Sequence, residues 1–460
     1  MLLSYFIIVD IIREGAIFLA FTFHGGIHPD YQKKRTADLP IVQMPAPARI
    51  IMPLIQHIGA VCEPLVGVGD TVTVGQKIAD SSAYMSCPVH SSVSGVVTAI
   101  EDCWHSSGIK RPAIVIENDG KDTRHPDYIA PENVDFSTWT SDQIILAARE
   151  AGITGMGGAG FPLHVKLKTA LEKKVNTILI NGAECEPYIT ADHRAMLEYP
   201  RKIIAGIQVF MQCLGCSEAI VGIENNKPDA IRQMRQAAQG TSIRIAVLKT
   251  KYPQGGEKQL IYAITGRKVP PGKLPMDVGC AVFNVDTCAS VYRAIAKGRP
   301  LIKRVVTVSG SAVREAKNLL VRIGTPYQDL FEFCGGFVRE PYKVICGGPM
   351  MGSAQHHLDT PVMKSTSALL AFAGGEEQFA DNQVCIHCGR CVSACPMNLM
   401  PNYINRASRA DDMEQCKKLH VMDCIECGCC AYVCPAKLYL VQTMRMCKAK
   451  IMAAERAKKA

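Results

Sequence analysis

The feature that most constrains this chain is a cysteine spacing that occurs twice near its C-terminal end. The pattern C-x2-C-x2-C-x3-C-P begins at two places 39 residues apart, and its cysteines are Cys385, Cys388, Cys391 and Cys395 in the first run and Cys424, Cys427, Cys430 and Cys434 in the second. Three thiolates in so short a loop can wrap one face of an iron–sulfur cubane, whereas the fourth cysteine, which precedes a proline, binds the other cubane. We therefore predict two neighbouring [4Fe-4S] clusters, with Cys434 completing the first set of three and Cys395 completing the second.

Two zinc sites are the main alternative for these cysteines. Structural zinc takes four ligands in a closed tetrahedron, usually as two separated pairs, and runs of three do not supply them. The chain has 21 cysteines and no convincing cleavable signal, which indicates a reducing compartment and metal ligation rather than a disulfide framework. Outside the pattern, Cys416, Cys429 and Cys447 are expected to be ordinary small side chains.

Length and composition limit the remaining options. A chain of 460 residues exceeds what one hydrophobic core usually organises, so we expect roughly three domains. Hydrophobic residues make up 48% of the chain, enough to form packed cores. The formal net charge of +9 favours anionic ligands or surfaces, but two tryptophans and 6% aromatic residues leave little for the stacking surfaces of single-strand nucleic-acid binders. We expect no nucleic-acid partner.

The first 22 residues form a separate segment. They are apolar, but Asp10, Arg13 and Glu14 interrupt them, which leaves no run of the roughly 20 apolar residues that a membrane-spanning helix needs. A signal peptide would carry its positive charge before the apolar run and a small-residue cleavage site after it. We expect residues 1–22 to be an N-terminal extension, with the natural protein beginning near Leu19 or Ala20, and no spanning helix elsewhere.

Residues 23–135 show the pattern of a small all-β domain. Short β-branched runs alternate with turn residues, and residues 66–78, followed by Pro88 and residues 94–97, resemble a biotinyl/lipoyl-type sandwich. Swinging-arm domains of that type carry a lysine at the tip of the hairpin between these halves. The corresponding residues 83–87 contain no lysine, so we predict a structural module that is not lipoylated.

Residues 140–300 alternate between helical and strand patterns, which is typical of an α/β domain. Thr140 and Gln143 form a capping box that predicts the start of a helix, and Gly152 predicts its end. A second helix is predicted over 163–173, with Pro162 in its first turn. Further strands are predicted at 175–180, 218–223 and 244–248, and further helices at 201–214 and 228–238.

A glycine-rich loop, Gly155-x-Gly157-x-x-Gly160, lies between the first two of these helices. It matches the letters of the dinucleotide fingerprint, but that fingerprint follows a strand and here a helix precedes it, so we reject an ordinary Rossmann domain. Glycines still let backbone N–H groups approach a phosphate, and the following helix presents its positive end to one. We predict a phosphate-bearing cofactor here, and the alternative is a tight turn between helices.

Three further segments complete the domain organisation. Residues 303–356 show the order strand, strand, helix, strand, which predicts a small β-grasp module. Residues 375–442 contain both cysteine runs and are predicted to fold around their clusters. Residues 443–460 form a basic tail, which either lies on an anionic membrane surface or an acidic partner or is the solvated end of a helix.

Four segments in a fixed order relate the chain to known families. These segments resemble the cofactor segments of the FMN- and NADH-binding subunit of respiratory complex I and related hydrogenases. They are residues 157–162 with Lys166, then residues 181–187, 252–258 and 284–287. With the Gly-Gly-Ile-His-Pro of residues 25–29 at the start and the double cysteine run at the end, the chain resembles, from about residue 21 to residue 440, the C-subunit family of the Rnf complex, the membrane-bound ferredoxin:NAD oxidoreductase.

The resemblance implies which residues contact FMN and NAD(H). The residues that would hold the FMN phosphate and isoalloxazine edge are Gly157, Gly158, Gly160 and Lys166. The residues that would line the flavin are Asn181, Glu184 and Asn284. The residues that would contact the nicotinamide nucleotide are Glu186, Glu257 and, by stacking, Phe161. Taken alone, Glu184 and Glu186 could be helix-start acids and Lys166 part of a solvated helix face. Cys185 departs from the complex I subunits, which carry a different small residue there.

The same resemblance implies a peripheral electron-transfer subunit on the cytoplasmic face of the bacterial cell membrane. It would bind the other Rnf subunits, both membrane-embedded and iron–sulfur, and receive electrons from ferredoxin only indirectly. NAD(H) exchanges a hydride whereas a cubane accepts one electron at a time, and FMN exchanges electrons with both. No side-chain acid or base is needed as a catalyst. In the family, ferredoxin oxidation is coupled to NAD+ reduction while partner membrane subunits move Na+ or H+.

Three alternatives stay open at this point. A corrin (cobalamin) reductase of a microcompartment shares the flavin segments and the cubanes, although residues 25–29 favour the Rnf family. A non-enzymatic iron–sulfur redox adaptor would hold clusters but would neither retain FMN nor oxidise NADH. A zinc-dependent nucleic-acid binder, suggested by the net charge, would be colourless and would bind DNA with a steep salt dependence.

Overall fold

The computed structural model describes residues 20–128, 134–375 and 384–458. Most of the predicted N-terminal extension, residues 1–19, therefore lies outside the described residues. Within the described ranges, no helix combines the length and the apolar character needed to cross a membrane.

Two small antiparallel sheets form the sandwich domain, residues 49–118. The first strands of the chain are Ile41–Gln43 (β1), Arg49–Pro53 (β2), Glu63–Pro64 (β3), Thr71–Val72 (β4), Lys77–Asp80 (β5), Val89–His90 (β6), Gly95–Trp104 (β7) and Lys110–Asn118 (β8). One sheet has the order β2-β8-β7-β4 and the other has the order β3-β5-β6. Ile50, Ile78 and Ile114 are fully buried in the core. Near the hairpin tip, the Tyr84 carbonyl accepts a hydrogen bond of 3.1 Å from His164 of the next domain.

The central α/β domain, residues 141–297, is built on a parallel sheet. Its strands are Thr177–Gly182 (β9), Ala219–Glu224 (β10), Ile243–Leu248 (β11) and Cys280–Asn284 (β12), in the order β11-β10-β9-β12. Its helices are Ser141–Glu150 (α1), Leu163–Glu172 (α2), Ala191–Glu198 (α3), Pro200–Leu214 (α4), Pro228–Ala237 (α5), Glu257–Thr265 (α6) and Val285–Lys297 (α7). Since the strands are parallel, the chain segments that follow them meet at one edge of the sheet.

Local signals account for the helix boundaries around the glycine loop. Gln143 N donates to Thr140 Oγ1 over 3.3 Å, and Thr140 N donates to the Gln143 side chain over 2.8 Å, so the predicted capping box is confirmed. Gly152 follows α1 with a φ of 63°, a left-handed conformation that favours glycine. Helix α1 precedes the loop and α2 follows it, which confirms that no strand leads into the glycines.

A six-stranded sheet joins distant parts of the chain. It contains β1 together with Lys303–Ser309 (β13), Lys317–Arg322 (β14), Pro341–Cys346 (β15), Ser353–Gln355 (β16) and Ala368–Ala373 (β17), and helix Tyr327–Phe333 (α8) follows β14. Its strand order is β1-β14-β13-β17-β15-β16. The predicted order strand, strand, helix, strand is present within 303–356. The sheet extends beyond that segment, because β17 inserts between β13 and β15 and β1 adds to the edge.

The cysteine-rich domain, residues 384–458, consists mainly of short helices. They are Arg390–Ser393 (α9), Pro401–Arg409 (α10), Met413–Lys418 (α11), Cys429–Tyr432 (α12) and the longer Leu440–Ala457 (α13). Most of the predicted basic tail belongs to α13, whose Met444 and Ile451 are buried. Arg445 and Lys448 form ion pairs of 2.9 and 2.6 Å with Glu426, so part of the tail's charge is neutralised within the domain.

Candidate functional site

Two cavities in the cysteine-rich domain collect the cysteines of both runs. The near cavity, which adjoins the α/β domain, is lined by Cys395, Cys424, Cys427 and Cys430. The far cavity is lined by Cys385, Cys388, Cys391 and Cys434. Each cavity thus combines three cysteines of one run with the fourth cysteine of the other.

The donor chemistry of the cavities suits a cluster rather than a single ion. In the part of the chain that the structure describes, no three His, Cys, Asp or Glu side chains are close enough to hold one metal ion. Four thiols spread around a largely apolar cavity match the ligand set of a cubane. Burial raises the pKa of Cys424 to about 11, so this thiol keeps its proton at neutral pH unless a bound metal displaces it.

The three other cysteines of this domain, Cys416, Cys429 and Cys447, are buried. Cys416 and Cys447 lie in the hydrophobic core of the cysteine-rich domain, as expected for ordinary small side chains. Cys429 is buried as well, but it also contributes to the wall of the near cavity.

The two cavities differ in their surroundings. In the near cavity, Cys395, Cys427 and Cys430 are buried. At the far cavity Cys388 is exposed. Val384 and Ile386, which flank Cys385, are 72% and 65% exposed. The far cavity therefore opens toward solvent through an apolar rim.

The glycine loop lies at the edge of the parallel sheet. Gly155 N donates to Phe161 O over 2.8 Å and closes the loop, and the Phe161 side chain is half-buried. A Cβ on Gly157 would lie 3.4 Å from Cβ of Asn284, whereas a Cβ on Gly158 would meet no atom within 4 Å. Ile58 of the sandwich domain donates its N–H to Gly160 O over 3.2 Å. The loop is held at both ends and leaves open space at its centre, as a phosphate cradle requires.

Asn284 connects this loop to a half-buried acid, Asp192. It ends β12 and caps α7, because its side-chain oxygen accepts hydrogen bonds from Asp286 N (2.9 Å) and Thr287 N (3.4 Å). Its amide nitrogen donates to a carboxyl oxygen of Asp192 over 2.7 Å. Burial raises the pKa of Asp192 to about 8, and the charges of Glu184 and Asp286 add to the shift. Asp192 is therefore protonated at neutral pH.

Glu184 is engaged within the protein. Its carboxylate accepts hydrogen bonds from Asp192 N (2.6 Å) and His193 N (3.2 Å), which begin α3. It thus acts as a helix-start acid, the alternative that the sequence left open. The half-buried Lys33 donates to the carbonyls of Glu184 (2.9 Å) and Glu186 (3.0 Å) and fixes the segment between them. No local sequence signal pointed to Lys33.

Glu186 faces a loop of the six-stranded sheet. Its carboxylate accepts hydrogen bonds of 3.0 Å from both Met350 N and Met351 N. Burial raises its pKa to about 7. The loop after β15 is therefore attached to the α/β domain through this glutamate.

The second and third predicted segments also meet at the sheet edge. Asn181 at the end of β9 donates to Gly255 O over 2.9 Å. Lys166 on α2 forms an ion pair of 3.1 Å with Glu257 at the start of α6, and its ammonium group lies 5.5 Å from the centre of the Phe283 ring. The structure thus brings together Gly157 with Asn284, Asn181 with Gly255, and Lys166 with Glu257.

The same edge adjoins the near cavity. Tyr252, which follows β11, donates from its hydroxyl to the carbonyl of Cys427 over 2.7 Å. Gln259 of α6 contacts the sulfur of Met397 at 3.3 Å, and Gly26 N donates to Ala394 O over 2.9 Å. These contacts join groups far apart in the chain, so sequence patterns could not identify them.

Comparison with family models defines the class of protein. The models that match are the Nuo51 FMN-binding domain over residues 148–293, the RnfC barrel sandwich hybrid domain over 21–121, the SLBB domain over 305–354 and the 4Fe-4S dicluster domain over 384–438. The predicted fold class is confirmed, with FMN and two [4Fe-4S] clusters as the cofactors of the matched domains. The chain is a multidomain flavin and iron–sulfur electron-transfer protein.

Similar proteins then define the family. The chain is 48% identical to the C subunit of the proton-translocating ferredoxin:NAD(+) oxidoreductase complex of Clostridium ljungdahlii, over 95% of this chain and 96% of that protein. It is 46% identical to the Na(+)-translocating counterpart of Acetobacterium woodii (95% and 98%), and 43% identical to the C subunit of the ion-translocating oxidoreductase complex of Rhodobacter capsulatus (94% and 83%). The chain belongs to the family of C subunits of ion-translocating ferredoxin:NAD(+) oxidoreductase complexes, which confirms the resemblance drawn from its motifs.

Proposed function

We propose that this chain is the peripheral subunit that passes electrons between NAD(H) and one-electron carriers in a membrane-bound, ion-translocating complex. Ferredoxin oxidation and NAD+ reduction are the reactions that the complex couples, and membrane partners move the ion. The observation that carries the proposal is the 2.7 Å hydrogen bond between Tyr252, in a predicted flavin segment, and Cys427 at the near cavity. A flavin at the sheet edge and a cluster in that cavity are thereby neighbours.

The two cavities supply the ligands in this proposal. Cys395, Cys424, Cys427 and Cys430 bind the cluster next to the flavin, and Cys385, Cys388, Cys391 and Cys434 bind the second cluster. Crossed ligation makes the two clusters neighbours within one small domain. Electrons can then travel from the sheet edge to the solvent-facing rim of the far cavity.

The α/β domain binds and orients the flavin in this proposal. When bound, FMN exchanges a hydride with the nicotinamide and single electrons with the clusters. The open space at Gly158, the close approach of Gly157 to Asn284 and the start of α2 suit its phosphate. Lys166 supplies a cation that Glu257 holds in place at 3.1 Å. Asn181, Glu184 and Asn284 line the same edge.

The nicotinamide nucleotide occupies the open side of this edge. Phe161 is half-buried at the end of the glycine loop and offers an aromatic face for stacking. The carboxylates of Glu257 and Glu186 are the polar contacts that we assign to the nucleotide. Occupation by the nucleotide would then compete with the hydrogen bonds that Met350 N and Met351 N donate to the Glu186 carboxylate.

The far cavity is the side on which we place the electron-transfer partner. Residues 384–402 and 434–440 include His387, Arg390 and Lys437 but no aspartate or glutamate, and their exposed side chains include Val384 and Ile386. An apolar patch with a cationic rim suits an iron–sulfur subunit with an acidic surface. We assign the site to the cytoplasmic face of the membrane, because that is where NAD(H) is available. The complex moves Na+ or H+, since two relatives of nearly equal identity are named for different ions.

The proposal is tested by adding NADH to the anaerobically purified, reconstituted chain. We expect loss of flavin absorbance, followed by the electron paramagnetic resonance signals of reduced clusters. Lys166→Ala should weaken FMN binding roughly tenfold or more, because a hydrogen bond from a charged group contributes about 1.5–3 kcal/mol. Lys168→Ala, on an exposed position of the same helix, is the matched control. Absence of flavin reduction in the wild-type chain, or equal loss of FMN in both variants, would contradict the proposal.

A further inference from the structure

We propose that Tyr252 is a positioning residue that sets the reduction potential of the cluster in the near cavity. The inference rests on the proposed function, because it requires that a cluster occupy this cavity. It assigns Tyr252 a role in tuning the cluster, beyond linking two domains. The argument starts from how the tyrosine is held.

Tyr252 is held from several sides. Only 1% of its surface is exposed. Its backbone forms two hydrogen bonds with Ile27, of 2.8 and 2.9 Å, and its carbonyl faces the thiol of Cys429 at 3.8 Å. The phenol therefore has a fixed position when it donates to Cys427 O over 2.7 Å.

The segment that pairs with Tyr252, residues 25–27, also reaches the fourth ligand of the cavity. Gly26 N donates to Ala394 O over 2.9 Å. A Cβ on Gly25 would lie 2.7 Å from Cys395 O, so only glycine allows this approach. Tyr252 and Cys395 are therefore positioned against the same short segment, and the near cavity is fixed at two of its cysteines.

A second support reaches the same turn from the six-stranded sheet. Met350, whose N–H is bound by Glu186, places its carbonyl 3.2 Å from where a Cβ on Gly428 would lie. The turn formed by Cys427, Gly428 and Cys429 is thus enclosed by Tyr252 on one side and by the Met350 loop on the other.

The loop of the second run presents a hydrogen-bond donor to a ligand sulfur. The N–H of Glu426 donates to the sulfur of Cys424 over 3.4 Å. Hydrogen bonds to cluster sulfurs and local dipoles raise cluster potentials, because they stabilise the more negative reduced state. The phenol holds the Cys427 carbonyl and hence the adjoining peptide planes of this loop, and its O–H dipole points its positive end at this ligand residue. Both effects have the same sign.

The test is a redox titration of the full reconstituted chain, with both clusters monitored by electron paramagnetic resonance. Tyr252→Phe removes only the hydroxyl. We expect reduction of the cluster in the near cavity to become about threefold less favourable. Because a tenfold change corresponds to 59 mV for one electron, its potential should be about 30 mV lower. The potential of the other cluster should stay unchanged.

Tyr31→Phe is the matched control. Its hydroxyl is buried without a hydrogen-bond partner among the described residues, and its carbonyl accepts a hydrogen bond of 2.8 Å from Tyr188 N, two residues after Glu186. This substitution should leave both potentials unchanged. If both tyrosine variants shift the potential equally, or if neither does, the role assigned to Tyr252 is wrong.

A second perturbation keeps the inference testable if Tyr252→Phe fails to hold its clusters. Replacement of Tyr252 by 3,5-difluorotyrosine through amber suppression gives a phenol that is a stronger hydrogen-bond donor at nearly constant shape. The potential of the same cluster should then rise. An unchanged or lowered potential would overturn the inference. A wild-type chain without clusters would overturn the proposed function as well, so the two failures are distinguishable.

Discussion

The protonation of Asp192 gives a quantitative test of the glycine-loop site. Its carboxyl accepts a hydrogen bond of 2.7 Å from Asn284, which lies beside Gly157. Burial and the neighbouring acids raise the pKa of Asp192 from 3.8 to about 8. In the unfolded chain the carboxyl ionises near pH 4, so between about pH 4 and pH 8 the folded state binds more protons than the unfolded state.

The sign of the effect follows from this difference. The stability that protonated Asp192 provides is fully present below about pH 4 and is lost as the pH rises through about 8. Four pH units at about 1.4 kcal/mol each give roughly 6 kcal/mol. The residue is partly accessible to solvent, and solvent screening reduces the expected value to about 2–3 kcal/mol. Asp192→Asn keeps an acceptor for Asn284 and removes the titration, so the variant should be more stable than the wild type by that amount at pH 8 and by little at pH 4.

The assay is urea unfolding of the full chain between pH 4 and pH 8, with far-ultraviolet circular dichroism as the signal. Asp229→Asn serves as a control of opposite sign. The hydrogen bond from His193 to Asp229 (2.9 Å) holds the pKa of that carboxyl below its ordinary value, so this variant should lose stability near neutral pH. A stability difference for Asp192→Asn that does not change with pH, or that favours the wild type at pH 8, would refute the reasoning.

Two further predictions concern the ligands and the sheet edge. Cys395→Ser should remove the cluster of the near cavity and Cys434→Ser that of the far cavity, although each belongs to the opposite run. Iron analysis of each variant should show about half the wild-type content, whereas the core variant Cys416→Ser should keep all of it. Loss of the cluster that the other three cysteines of the mutated run bind would contradict crossed ligation. Gly255→Ala should lower FMN retention several-fold, because its Cβ would lie 3.2 Å from the Asn181 amide and overpacking costs about 1–3 kcal/mol. Gly67→Ala, where the nearest atom is 3.8 Å away, is the control, and a fluorescence assay measures the bound flavin. Equal flavin retention in both variants would show that the contact between residue 255 and the Asn181 amide is unimportant.

Elements whose partners are close in the sequence could be predicted well. The capping box at Thr140 and Gln143 involves groups three residues apart, and the helix from Tyr327 to Phe333 follows directly from Pro326, so local chemistry determines both. The cysteine runs were equally informative, because their spacing carries the geometry of the ligand set. Family resemblance added the order of the flavin segments, which no single segment establishes.

Contacts between distant residues could not be predicted. Strand β1 pairs with β14, more than 270 positions away in the chain, and a single short strand carries no information about its partner. The attachment of Met350 to Glu186 depends on how separate domains meet. For the same reason, the contacts of Lys33 with residues 184–189 and of Tyr252 with Cys427 have no sequence signature, although both hold the site together.

The central claim is that one chain holds FMN beside two cubanes, and cofactor analysis of the anaerobically purified chain tests it most directly. The account predicts about eight iron atoms, about eight acid-labile sulfides and about one FMN per chain, with the flavin reducible by NADH. A pale, iron-free chain that does not bind FMN would contradict it.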